Sequence, residues 1–311
     1  MAQTDLYTKN YISQNDIFAD IFNFFIYGGD QVIKPETLVD ESIEESAILL
    51  TEGGAGEVSQ RYRDVLKSCV IKRGEGTSYV LLGVENQASI HYAMPVRSMV
   101  YDALQYDRQV KAAAQKHRRG KDTPASGEFL SGFTKEDRLI PVITLVVYFG
   151  ADRWDAPRSV RQMFDQTYDE RLLSFVQDYR INLIEPAALS DDELARFTTD
   201  FGRVMEFLKV SNDKQRMQSL LAKGSPFESI STSAALVLNS CTNMGIRINQ
   251  NKEETDMCKA IQEMTQEATV NSLLKTARAL MSNLSLSVDQ ALLAMSVSES
   301  ESAALKPMLQ D

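Results

Sequence analysis

Apolar positions recur along the chain with two periods, and the switch between them marks out the elements. After a polar leader, IFADIFNFFIYGG puts Ile17, Phe18, Ile21, Phe24 and Phe25 on one side of a helix. Asn15 or Asp16 is the expected cap and Gly28-Gly29 the stop. Asp16, Asp20 and Asn23 fall at i, i+4 and i+7, a polar stripe along the other side. The acidic stretch to about residue 58 predicts irregular structure, with a flexible tip at 51–56 and one short strand at 47–50. Two strand-like runs follow, DVLKSCVI (64–71) and SYVLLGVEN (78–86), joined by KRGEGT, whose glycines and polar residues signal a hairpin turn. Both runs are apolar on both faces, as strands in the middle of a doubly covered sheet are. From Tyr92 a long helical pattern carries Met94, Val96, Met99, Val100, Ala103, Leu104 and Val110 on its apolar side, with Pro95 in the tolerant first turn.

Residues 116–138 read as a loop, basic first and then rich in Gly, Ser and Thr. LIPVITLVVYFG is a buried strand and RINLIE (180–185) another. Ser190 with Glu193 forms a capping box that opens a helix bearing Leu194, Phe197, Phe201, Val204, Met205 and Leu208. Beyond about residue 215 the chain turns helical and polar, with Leu273, Leu274, Ala277, Leu280 and Met281 at helical spacing. Two more capping boxes, Ser287 with Gln290 and Ser298 with Glu301, cut the tail into short helices. No internal repeat has a fixed period. The expected organisation is an α/β domain over 1–215, a mixed central sheet flanked by helices. A helical C-terminal region over 216–311 is suited to oligomerisation or docking, so a homo-oligomer is one expected assembly.

Composition narrows the chemistry. Across 311 residues, 43% hydrophobic and 24% charged residues describe a globular chain and exclude wholesale disorder. Thirty-three basic against 43 acidic residues give a net charge of −10. A nucleic-acid site must then be a local basic patch on an acidic body. The strongest candidate is Lys111, Lys116, Arg118, Arg119 and Lys121, around His117. Cys69, Cys241 and Cys258 have no CxxC spacing, and with His91 and His117 as the only histidines a zinc cage is not expected. Nucleophile-elbow, P-loop and dinucleotide-binding motifs are absent from the sequence. The first residues show neither a basic nor an apolar leader region, and no apolar run is long enough to span a bilayer. A cytoplasmic protein without membrane attachment is the expectation, and carboxylates are the natural agents of any catalysis.

The hairpin brings two of them together. Strands pairing about the midpoint between Gly74 and Glu75 place Asp64 directly across from Glu85, and the period of two puts Gln87 on the face of Glu85. Like charges so opposed are destabilising, and a divalent ion would explain them: carboxylate oxygens suit Mg2+ or Mn2+, with waters completing the octahedron. The competing reading is a cross-strand salt bridge from Arg61, Arg63 or Lys67 to Asp64, with Glu85 capping the next helix.

The pattern Asp–x20–Glu-x-Gln on a hairpin, followed by a long helix, resembles the Asp…(Glu)-x-Lys core of the restriction-endonuclease-like PD-(D/E)XK superfamily. More narrowly, IFADIFNFFIYGG, RYRDVLK, LLGVENQASIHYAMPVRSMVYDALQY, LSGFTKEDRLIPVITLVVYFGADRWDAPRSV and RINLIEP resemble the recombination-promoting nuclease (Rpn) family, also called YhgA-like transposases. The likeness spans residues 15–186, and FTTDFGRVMEFLKVSNDK extends it to about 214. The resemblance implies a restriction-endonuclease-like fold and a Mg2+- or Mn2+-dependent DNA endonuclease hydrolysing phosphodiester bonds, linked to recombination, mobile DNA or defence. Asp64 matches the metal-binding aspartate and Glu85 the second carboxylate. Gln87 stands where the superfamily has lysine, a departure from the superfamily that is usual within the Rpn family. Glutamine can orient by hydrogen bonding but supplies no positive charge. Asp20 is the best match to an acidic residue that the first helix often adds to the metal site. His91 is either a phosphate contact or a packing residue, and Trp154 with Asp155 is expected to pin a surface loop. From another class stands a catalytically silent nucleic-acid-binding or assembly module that keeps the fold.

Overall fold

The computed structural model describes residues 2–41, 44–50, 56–62, 64–73, 76–120, 126–222 and 224–310. The leader is a helix, α1 (Ala2–Ile12), because Thr8, Tyr11 and Ile12 are buried rather than solvated. Its Thr8 hydroxyl meets the Asn86 side chain. α2 (Asn15–Tyr27) begins after Gln14, whose side chain does not cap it. Asn15, expected as a cap, donates its amide to the Pro35 carbonyl at 3.1 Å. Gly28 ends α2 in the left-handed region at φ 66°, as glycine can without a Cβ clash.

The polar stripe of α2 is not a solvated face. Asp20 and Asn23 are buried. Asn23 clamps the loop after the helix, accepting from the Ile33 N–H at 2.7 Å and donating to the Ile33 carbonyl at 2.9 Å.

β1 (Leu38–Asp40) is followed by β2 (Glu44–Leu50) and β3 (Gly56–Tyr62), which pair antiparallel as a ribbon of their own. Irregular structure with one short strand was the expectation there; of the expected tip, 51–55 lie outside the described residues. β4 (Val65–Arg73) and β5 (Gly76–Gln87) form the hairpin in the register expected from its turn, Val65 opposite Val84 and Arg73 opposite Gly76. α3 (Met94–Gly120) runs through the basic tract, so residues 116–120 close a helix rather than open a loop. The short α4 (Ser126–Ser131) follows. β6 (Val142–Tyr148) lies parallel to β5, and after α5 (Glu170–Leu173), β7 (Asn182–Ile184) lies parallel to β6. The sheet order is β1-β4-β5-β6-β7, antiparallel on the β1 side and parallel on the β7 side.

Helices cover both faces, which is why the strands are apolar on both. On one face Phe18 of α2 lies over Lys67 of β4. On the other, Asp102 of α3 accepts from the Thr144 hydroxyl of β6 at 2.5 Å. Leu82, Val84, Leu145 and Val147 retain no exposed surface. α6 (Asp191–Leu194) opens with the Ser190–Glu193 capping box and then stops. α7 (Asp200–Val210) restarts behind Thr199, so one expected helix is two, and α8 (Lys214–Leu220) follows.

The chain divides into two compact units, one running through Leu220 with Ser233–Asn243, the other Leu221–Thr232 with Met244–Asp311. β8 (Ile230–Ser231) leads into α9 (Thr232–Thr242), most of which belongs to the first unit. The second unit also holds β9 (Glu254–Thr255), α10 (Met257–Leu284), α11 (Val288–Ala294) and α12 (Glu299–Gln310). Leu274, Ala277, Leu292, Leu305 and Leu309 form its apolar cluster. The Ser287–Gln290 box opens α11 as its spacing indicates. Among the described residues no helix is long and apolar enough to cross a membrane.

Candidate active site

The open end of the β4–β5 hairpin carries the carboxylates. Asp64 immediately precedes β4, whose register with β5 runs as far as Val65 opposite Val84, so Asp64 and Glu85 are the next residues along at the open end. Glu85 lies toward α3, and Arg97 of that helix feels both carboxylates. Asp64 Oδ2 accepts the backbone N–H of Asn86 at 2.8 Å. Glu85 has no exposed surface, and its Oε2 lies 3.2 Å from Nη2 of Arg97, in the first turn of α3. Gln87, two residues along the same face, is 8% exposed and sits in register with Tyr148 of β6. Met94, Val146, Tyr148 and Trp154 form an apolar cluster beside it. The Arg97 guanidinium stands 5.6 Å from the ring centroid of Tyr101, one helical turn further on.

Burial raises the Asp64 pKa above the usual carboxylate value, while the Asn86 N–H, Arg97 and Lys9 pull against that shift. Burial works against the charge of Arg97, but Glu85, then Tyr101 and Asp64, carry its pKa above the ordinary arginine value. Tyr101 is raised in turn, by burial first and by Glu85 second. Asp64, Glu85 and Arg97 therefore share one electrostatic site.

Asp20 does not join it. The Thr198 N–H and hydroxyl donate to its carboxylate at 3.0 and 2.9 Å, and those of Thr199 at 2.9 and 2.6 Å. These bonds tie α2 to the start of α7, which corrects the expectation of a third metal ligand: a carboxylate with four donors has a structural task. Among the described residues no group of three or more His, Cys, Asp or Glu could hold a metal ion. The salt-bridge reading also changes partners. Lys67 lies on the opposite sheet face and pairs with Asp40 at 2.5 Å. Arg63, with the side chain of Arg61, lies outside the described residues. Among the described residues Arg97 is a cation beside the carboxylates that sequence reasoning missed; its signal was the Arg97–Tyr101 spacing of one turn, at the start of the helix following Glu85.

Lys111, Lys116, Arg118 and Arg119 lie exposed on the last turns of α3, and Lys121 falls outside the described residues. Lys111 pairs with Asp107 at 2.6 Å and His117 with Asp137 at 2.8 Å. Trp154 pins its loop: its backbone N–H donates to Glu185 at 2.6 Å, and its ring meets Tyr148 edge-on. Asp155 accepts from the Tyr92 hydroxyl at 3.1 Å.

Residues 55–224 match the model of the family described as "Putative transposase, YhgA-like", which covers more than half of the chain and includes the hairpin, α3 and the parallel strands. The chain belongs to this YhgA-like (Rpn) family. No curated protein and no solved structure matches it. Membership connects the chain with mobile DNA and makes DNA its partner.

Proposed function

We propose that this YhgA-like chain is a divalent-metal-dependent DNA endonuclease serving the movement or recombination of DNA. The observation that carries this reading is that Asp64 and Glu85 share the field of Arg97 at the open end of a doubly covered hairpin, with Gln87 two residues beyond Glu85 on β5. Two hard carboxylate donors fit Mg2+ or Mn2+, which commonly takes one or two carboxylates and fills its remaining positions with water and phosphate oxygens. Such an ion supplies Lewis acidity and a water of lowered pKa. The chain's own part is positional. Asp64, held by the Asn86 N–H, and Glu85 fix the ligand oxygens, while Gln87 offers an amide that can orient a water or a phosphate oxygen. Lys116, Arg118 and Arg119 are proposed as backbone contacts, because phosphate binding needs only unspecific positive charge. The second unit is proposed as a docking or self-association element, in keeping with its exposed Leu284, Leu293 and Met308.

The test is nicking of supercoiled plasmid with Mg2+ or Mn2+, protection by chelator, and loss of nicking in Asp64→Asn, which keeps an acceptor for the Asn86 N–H and so retains the fold. A second reading, a silent DNA-binding module, is favoured by the Arg97–Glu85 ion pair and the neutral Gln87. It takes precedence if the wild type binds DNA, shows no metal-dependent melting shift and leaves plasmid intact.

A further inference from the structure

Glu85 is wholly buried, and a buried carboxylate is strongly disfavoured unless its charge is compensated. Arg97 is the compensating group, 3.2 Å away and itself 29% exposed. One side of its guanidinium thus serves Glu85 while another reaches solvent. A divalent ion bound to Glu85 shares the carboxylate with Arg97, which stands at Oε2, and two cations crowded on one buried carboxylate repel each other. Access by an ion therefore entails movement of Arg97. Tyr101 lies one turn along α3 beside the guanidinium, so a released Arg97 stays at the mouth of the site.

We propose that Arg97 is a displaceable counter-ion: it holds Glu85 in the metal-free protein, yields it to the divalent cation, and then meets the DNA phosphate with the charge Gln87 lacks. This rests on the nuclease reading. The guanidinium suits both tasks, since its planar fork pairs with carboxylate and phosphate alike. The exchange also keeps the pocket charge-compensated with and without metal.

Arg97 Nε is buried and has no hydrogen-bond partner among the described residues, which gives its N–H a solvent-protected resonance. In the 15N-labelled full chain that resonance is assigned by its absence in Arg97→Lys. Adding Mg2+ should shift it and speed its exchange with water over the concentrations that raise the melting temperature, and neither change should occur in Asp64→Ala. Arg97→Gln should keep a metal-induced melting rise yet nick plasmid about a hundredfold more slowly, with Arg97→Lys recovering part of the rate. If Arg97→Gln does not fold, Arg97→Lys carries the rate comparison, and nicking at the wild-type rate in either variant overturns the phosphate contact. A melting rise with the Arg97 resonance unmoved overturns the displacement and leaves the nuclease reading standing. The absence of both melting rise and nicking in the wild type overturns the two together.

Discussion

The backbone N–H of Asn86 donates to Asp64 Oδ2 across 2.8 Å, so the strand that carries Glu85 also holds the carboxylate facing it. The tie fixes Asp64 without neutralising it. Burial raises the Asp64 pKa, so the folded chain binds that proton more tightly than the unfolded chain does. The contribution of Asp64 to stability therefore falls as pH rises from the ordinary carboxylate value through the raised one. Asp64→Asn retains an acceptor for the Asn86 N–H and removes the charge. At neutral pH without metal it should melt at or above the wild type, because it no longer buries a charge. The gain should vanish below the ordinary carboxylate pKa, and the metal-dependent rise should be lost. Thermal melts from pH 3 to 8, with and without Mg2+, read all three; a clear loss of stability at neutral pH would refute a cost from the buried charge.

Asp20 is a fastener between α2 and α7. Asp20→Ala leaves the Thr198 and Thr199 N–H groups without their acceptor in a buried setting, at about 1–3 kcal/mol for each donor. A loss of at least about 2 kcal/mol by urea denaturation is expected, with the metal-induced melting increment unchanged. A variant of normal stability that no longer responds to metal would return Asp20 to the metal site.

Lys67 is 2% exposed and runs beneath Phe18 to reach Asp40, which is 82% exposed. Its stem packs like an apolar side chain, and its partner can rehydrate. Lys67→Met should therefore cost no more than about 1 kcal/mol, while Lys67→Ala should cost about 2–3 kcal/mol through the cavity it leaves. Equal destabilisation by the two changes in chemical denaturation would show that the charge, rather than the packing, is what matters.

The exposed end of α3 can be tested by salt. Lys116→Gln, Arg118→Gln and Arg119→Gln together should weaken DNA binding and flatten the dependence of log K on log[salt]. The slope should fall by about 0.9 for each duplex phosphate that the variant no longer neutralises. Melting should hardly change, because these side chains are solvated. An unaltered slope in fluorescence anisotropy titrations would remove α3 from the DNA interface.

Local chemistry was legible in the sequence. The turn midpoint set the register of β4 against β5, from Val65 opposite Val84 to Arg73 opposite Gly76, because hairpin pairing is fixed by the connection. Apolar runs without alternation announced strands covered on both faces, and Ser190–Glu193 and Ser287–Gln290 announced helix starts, since a capping box closes within three residues. The tertiary structure decided whatever depends on a partner far along the chain. Asp20 and Asn23 formed a polar stripe by helical period, yet packing buried it, giving one to α7 and the other to the loop before β1. Polar α1 is a helix because Thr8, Tyr11 and Ile12 find cover, which the period of its own residues does not record. Arg97 reached Glu85 because α3 crosses the sheet face that Glu85 points to. Pattern fixes which residues share a face of one element; only the packing of elements decides which two faces meet.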